Sequence, residues 1–127
     1  MICVLDTNPL IYFIDGSAQP DVIERIESAI RAGARFSVVT RIEILSWREH
    51  TADSRLKAAA LLNQLVEIPL TQSIVDRTIE LRSMVSIKLP DAIIAASALV
   101  ENLPLMTRNT GDFTRIPGLV LIDPFAA

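Results

Sequence analysis

The stretch ICVLDTNP, residues 2–9, places an acid directly between an apolar run and a pair of residues that typically opens a helix. The apolar residues 2–5 predict a short buried strand. Asn8 followed by Pro9 resembles a helix N-cap with proline at the first helical position, so we expect a helix from there through Phe13. Asp6 therefore falls at the carboxyl end of the first predicted β-strand, just before the first predicted helix.

The same alternation of apolar runs and helical spacing continues along the chain. Strands are predicted at residues 36–39, 66–68, 105–107 and 119–122, and helices at about 22–30 (closed by Gly33), 41–48, 54–65, 74–85 and 90–101. Strands that alternate with helices favour an α/β fold with a parallel sheet covered on both faces. No linker or repeat interrupts the pattern, so residues 1–127 are expected to form one domain.

Four acids fall where such a sheet usually binds its ligands, beyond the carboxyl ends of its strands. Asp6 ends the first strand, Glu43 is expected in the first turn of the helix after the second strand, Asp91 begins a helix, and Asp112 follows the strand that ends at Thr107. Each has a simpler explanation. Asp6 and Asp91 are compatible with helix capping, Glu43 with an exposed helix face and Asp112 with a turn.

The neighbours of these acids favour a metal site. Asp6, Glu43 and Asp91 adjoin residues that prefer burial, where a carboxylate is costly unless a partner satisfies it. A hard divalent cation bound by oxygen suits such a site, and Mg²⁺ or Mn²⁺ fits better than Zn²⁺, because no His/Cys cluster is present.

Composition limits the function classes. The net charge of −3 is not typical of a nucleic-acid-binding domain, although local arginines can hold a phosphate backbone on an acidic protein. The single cysteine, Cys3, cannot form an internal disulfide. The apolar start of the chain lacks a basic region, and no run approaches the length of a membrane span. We expect a soluble protein of the cytoplasm.

Four motifs resemble those of PIN-domain nucleases, and in particular the VapC toxins of prokaryotic toxin–antitoxin pairs. They are VLDTN (4–8), SVVT (37–40) with Glu43, LPDAIIAA (89–96), and TRN (107–109) with Asp112 and Phe113. The resemblance implies a three-layer α/β/α sandwich, a Mg²⁺- or Mn²⁺-dependent endoribonuclease that acts on RNA, a homodimer and a cognate antitoxin.

Residue by residue, the resemblance assigns the acidic quartet to Asp6, Glu43, Asp91 and Asp112. It implies that Asp6, Asp91 and Asp112 hold the metal and that Glu43 holds a second ion or orients the attacking water. Thr107 and Asn109 match polar residues that support the last acid. Thr7 and Asn8 are candidates either to support a ligand carboxylate or to cap the first helix, and for Asn8 we expect the cap.

Other polar and aromatic residues carry weaker signals. His50, Trp47 and Tyr12 are expected at the surface or in packing, and each of the cations near the motifs is expected to be solvated: Arg41, Arg48, Lys88, Arg108 and Arg115.

Two other classes of acidic α/β domain fit less well. A receiver-type signalling domain would need a second acid adjacent to Asp6, where Thr7 stands, and a lysine beyond Lys88. An aspartate-nucleophile phosphatase would need an acid at Asn8. A PIN nuclease of RNA processing and a catalytically silent binding domain remain alternatives.

Overall fold

The strand Val4–Leu5 (β1) lies at the centre of a five-stranded parallel sheet in the computed structural model, which describes residues 1–126. Its neighbours are β2 (Arg35–Ser37) and β4 (Leu105–Met106), and the edges are β3 (Val66–Ile68) and β5 (Leu121–Ile122). The order is β3-β2-β1-β4-β5, and Leu5 pairs with both Phe36 and Met106. All carboxyl ends therefore meet at one edge.

Helices cover both faces of this sheet. Residues 1–126 form six α-helices and one 3₁₀ helix: α1 (Thr7–Asp15), α2 (Pro20–Arg31), α3 (Val38–Leu45), α4 (Ala52–Gln64), α5 (Gln72–Met84), α6 (Leu89–Glu101) and the 3₁₀ helix Thr110–Asp112. This architecture confirms the predicted α/β/α sandwich. Within that part of the chain, no helix is both long and apolar enough to cross a bilayer.

Two apolar cores fill the layers, and the alternation of side chains along β1 separates them. Leu5 belongs to a core with Leu10, Ile26, Phe36 and Leu62, which joins β1 and β2 to α1, α2 and α4. The neighbouring Val4 belongs to a second core with residues of α5 and α6: Ile74, Leu81, Ile94 and Ala98. Adjacent residues of one strand thus anchor opposite layers.

The predicted strand 36–39 is wrong in its second half, and the predicted helix 41–48 is displaced. β2 ends at Ser37, whose hydroxyl accepts a hydrogen bond from the Val39 amide at 3.1 Å and caps α3. This cap draws Val38 and Val39 into the helix despite their β-branched side chains. The helix ends at Leu45 rather than Arg48. The remaining boundaries agree with the sequence prediction to within two residues.

The cap of α1 also differs from the prediction. Asp6, not Asn8, is the N-cap, and its carboxylate accepts a hydrogen bond from the Thr7 amide. Asn8 lies inside the first turn of the helix. The helix therefore starts at the acid itself, which fixes Asp6 at the junction of β1 and α1.

Candidate active site

Asp6 is the most deeply buried of the four predicted acids, with only 5% of its surface exposed. Its Oδ2 accepts a hydrogen bond from Thr107 Oγ1 at 2.8 Å, and its Oδ1 accepts one from the Thr7 amide at 2.9 Å. Burial raises the pKa of Asp6 because it disfavours the charged form. The two hydrogen bonds oppose this rise, and the charges of Glu43 and Asp112 add to it. Asp6 is therefore both a helix cap and a member of the acidic site.

Glu43 is held by a residue of a different helix. It lies in the second turn of α3, not in the first as predicted, because α3 begins at Val38. Thr7 Oγ1 donates a hydrogen bond to Glu43 Oε1 at 2.6 Å. The Thr7 hydroxyl also lies 3.1 Å from the buried hydroxyl of Thr40. Thr40 was not predicted as a site residue, although its position three residues before Glu43 puts both on one helix face.

Asp91 and Asp112 come from the opposite layer of the sandwich. Asp91 is partly buried in the first turn of α6, and Asp112 is exposed at the end of the 3₁₀ helix. Burial raises the pKa of Asp91, and the charges of Asp6, Asp112 and Glu43 raise it further, whereas Lys88 lowers it. The α6 N-cap is Lys88, so Asp91 is not the capping residue.

The four acids form one electrostatic cluster, but their side chains do not surround a common point in the described residues. Asp6 senses the charges of Glu43 and Asp112, and Asp91 senses those of Asp6, Asp112 and Glu43, so the four acids share one region. None of the four is in an ion pair within residues 1–126. Over the same residues, no three acidic, histidine or cysteine side chains converge closely enough to encircle a metal ion. The cluster is therefore an open arrangement of carboxylate oxygens.

The donor chemistry of the acidic cluster fits a hard cation such as Mg²⁺. Its four carboxylates present oxygen, form no ion pair in the described part of the chain, and repel one another. Because Mg²⁺ usually retains several waters, it can be bound through a small number of carboxylates without a closed protein cage.

The predicted role of Thr107 needs correction. Thr107 supports Asp6 rather than the last acid, because the parallel pairing of β1 with β4 brings the two residues together. The Thr107 hydroxyl also accepts a hydrogen bond from the Asn109 amide at 3.0 Å. The Asn109 carbonyl in turn accepts one from the Asp112 amide at 3.1 Å. Asn109 thus positions Asp112 through its main chain.

Several residues with open roles have structural contacts. His50 Nε2 lies 2.7 Å from the Ile44 carbonyl, which only accepts, so Nε2 donates; Nδ1 lies 2.8 Å from Ser54 Oγ. His50 thereby ties the end of α3 to α4. Arg41 pairs with Glu67. The Arg108 guanidinium lies 3.7 Å from the centre of the Phe125 ring.

Comparison with known proteins gives the class of the domain. The PIN domain family matches residues 3–119, so the chain belongs to that family. No curated protein sequence is significantly similar to this chain.

Solved structures narrow the comparison. A chain in a toxin–antitoxin complex from Klebsiella pneumoniae is 30% identical, with a TM-score of 0.77 and coverage of 98% of this chain and 99% of that one. A chain of VapBC2 from Rickettsia felis, bound to a DNA fragment from the promoter, is 26% identical. Its TM-score is 0.81, and the match covers 96% of this chain and 98% of that one. VapBC-1 from nontypeable Haemophilus influenzae shares the fold at 24% identity, with a TM-score of 0.80 and coverage of 99% and 100%. The predicted resemblance to PIN-domain VapC toxins is thereby confirmed.

The repulsion within the cluster predicts an unusual stabilising substitution. Because the pKa of Asp91 is raised in the folded protein, its charge costs stability at neutral pH, and this cost disappears as the pH falls through that pKa. Asp91→Asn should raise the Tm in EDTA at pH 7 by about 2–4 °C, with a smaller gain near pH 4. Removing three repulsions should outweigh the lost helix-dipole interaction, typically about 0.3–1 kcal/mol.

Thermal unfolding followed by circular dichroism measures this effect. Asp76→Asn is the control, since Asp76 is an exposed aspartate on α5 outside the cluster. Equal Tm values for the Asp91→Asn variant and the parent would mean that the acids do not strain the fold.

Proposed function

We propose that this protein is a Mg²⁺-dependent endoribonuclease, with Mn²⁺ as an alternative cofactor, and the toxin of a VapBC-type pair. The observation that carries the proposal is the cluster of four carboxylates without ion-pair partners in residues 1–126, at the carboxyl edge of the sheet. Membership of the PIN family supports nuclease activity, and the likeness to chains of toxin–antitoxin complexes supports the toxin role.

The chain's own residues divide the work of hydrolysis. Asp6, Asp91 and Asp112 would hold the ion, which when bound neutralises phosphate charge and acidifies water. Thr107 and the Thr7 amide fix the Asp6 carboxylate, so its direction is set before substrate arrives. Glu43 has one oxygen bound to Thr7, which orients the carboxylate to align the attacking water and accept its proton. The proposed products carry a 5′-phosphate and a 3′-hydroxyl.

A housekeeping role in RNA processing is the principal alternative within the same chemistry. A short reading frame for a DNA-binding protein immediately upstream of the gene would favour the toxin role. A catalytically silent binding domain would retain the acids without cleaving RNA.

Loss of a single site carboxylate should abolish cleavage while the protein stays folded. Asp6→Asn keeps one acceptor oxygen for the Thr7 amide, and its new amide nitrogen can donate to the Thr107 hydroxyl, while the charge is removed. We expect activity to fall by at least about a hundredfold. Glu43→Gln should do the same. The assay is cleavage of structured RNA by purified protein with Mg²⁺ or Mn²⁺, and EDTA should stop it. Asp76→Asn should cleave normally. Full activity in EDTA would refute the metal-dependent mechanism.

An apolar groove beside the acids is the proposed binding site for the antitoxin. The groove has a volume of about 260 Å³ and lies between α1 and α3, where Ile11, Ile14, Ile44 and Trp47 line it beside Glu43. Trp47 is 55% exposed although it is a large aromatic residue. An antitoxin segment with an apolar side chain as its anchor fits this groove. Because Glu43 lines the groove, the bound segment would lie next to the acidic cluster.

The fluorescence of Trp47 offers a direct test, because it is the only tryptophan of the chain. Titration with a tryptophan-free antitoxin should shift its emission to the blue as water leaves the groove. Trp47→Ala should weaken the complex by about tenfold or more in calorimetry. Leu56→Ala, which removes a 71%-exposed residue of α4 that does not line the groove, should bind as the parent does. Unchanged emission at saturation would contradict this binding site.

Self-association is proposed from the other exposed apolar residues. Ile79 and Met84 on α5 are more than half exposed, at 63% and 55%. Such residues on a helix face favour a homodimer. Analytical ultracentrifugation should show a dimer at a protein concentration on the order of tens of micromolar. A strict monomer at that concentration would contradict the proposed homodimer.

A further inference from the structure

A polar cleft includes Asp91 and Asp112 in its lining. It has a volume of about 420 Å³, and three cations line it together with these two acids: Arg82, Lys88 and Arg115. All three are exposed. None of them forms an ion pair in the part of the chain that the structure describes.

The two arginines of this cleft hold the loop between α5 and α6 in place. Arg82 Nε donates a hydrogen bond to the Ile87 carbonyl at 3.3 Å, and Arg115 Nη2 donates one to the Ser86 carbonyl at 3.4 Å. Lys88 follows this loop directly and begins α6 as its N-cap. Each guanidinium carries several further N–H donors, which remain available to an anionic ligand. The cations are therefore held near one another before any ligand binds.

The electrostatics of the two cavities beside the acids are opposite. The polar cleft is lined by three cations and two carboxylates, so its lining carries a net positive charge. The apolar groove is lined by the carboxylates of Asp15 and Glu43 and by no lysine or arginine of the described residues. A polyanion that places one phosphate at the acids is therefore attracted along the polar cleft and repelled along the groove.

We propose that the polar cleft binds the backbone phosphates of the RNA strand next to the bond that is cleaved. This inference rests on the proposed ribonuclease function and adds the path of the substrate. Arg82, Lys88 and Arg115 would bind phosphates without reading the bases, which positions the strand but does not select its sequence. A local group of three cations would also let a chain with a net charge of −3 bind RNA.

RNA binding measured against salt concentration tests this proposal. In EDTA, on the Asp6→Asn background, fluorescence polarisation of a labelled single-stranded RNA gives Kd at several salt concentrations. The side chain of Lys88 makes no capping hydrogen bond to α6, so its loss should leave the main chain in place. Lys88→Gln should weaken RNA binding and lower the slope of log K against log salt concentration by about 0.7. Replacing all three cations by Gln should weaken binding by at least about tenfold. Arg55→Gln is the matched control, because Arg55 is an exposed arginine of α4 without an ion pair in residues 1–126.

Conservative variants separate charge from loop structure. Arg82→Lys and Arg115→Lys keep the charge but alter the bonds to the loop, and binding should stay within about threefold of the background protein. If the triple variant binds like Arg55→Gln, or the background protein binds no RNA, the proposal is wrong. Cleavage by the unsubstituted protein distinguishes the two hypotheses. If the protein cleaves RNA but the cleft substitutions leave RNA binding unchanged, only the proposed role of the polar cleft is wrong. If the protein does not cleave RNA, the proposed function is wrong.

Discussion

A carboxylate buried at the centre of the sheet is the constraint on which this structure depends. Asp6 ends the central strand with 5% exposure, where an unsatisfied charge would be costly. Thr107 at the end of β4 and the first amide of α1 meet this requirement. One residue thus joins two strands and a helix, so its environment is fixed by the fold and not by a flexible loop.

The two layers of the sandwich contribute differently to the site around Asp6. The layer that packs on Leu5 supplies Glu43, positioned by Thr7, and the apolar groove. The layer that packs on Val4 supplies Asp91 and the cations of the polar cleft. Because the sheet faces are covered, its carboxyl edge is the place where side chains from both layers meet. The chemical difference between the two flanks follows from this division.

The sequence predicted the order of strands and helices, because apolar runs and helical spacing are local signals. It also predicted that the four acids follow strands or begin helices, although Glu43 lies one turn further into α3 than expected. The extent of the strand after Phe36 was wrong because a single hydroxyl, that of Ser37, ends it. The partner of Thr107 was wrong because Asp6 is 101 residues away, and pairing across the sheet has no local signature. Thr40 was missed for a related reason: its partner lies on another helix.

The brevity of the strands limits how this protein meets other chains. No strand in residues 1–126 is longer than three residues, including the edge strands β3 and β5. Such edges expose few free main-chain donors and acceptors, so they are poor templates for an added strand or for fibrillar growth. Large exposed apolar side chains such as Ile42, Leu56 and Ile79 lie on helices, and Val66 lies on the edge strand β3. We therefore expect association to depend mainly on side-chain shape at helical surfaces, where single substitutions alter it.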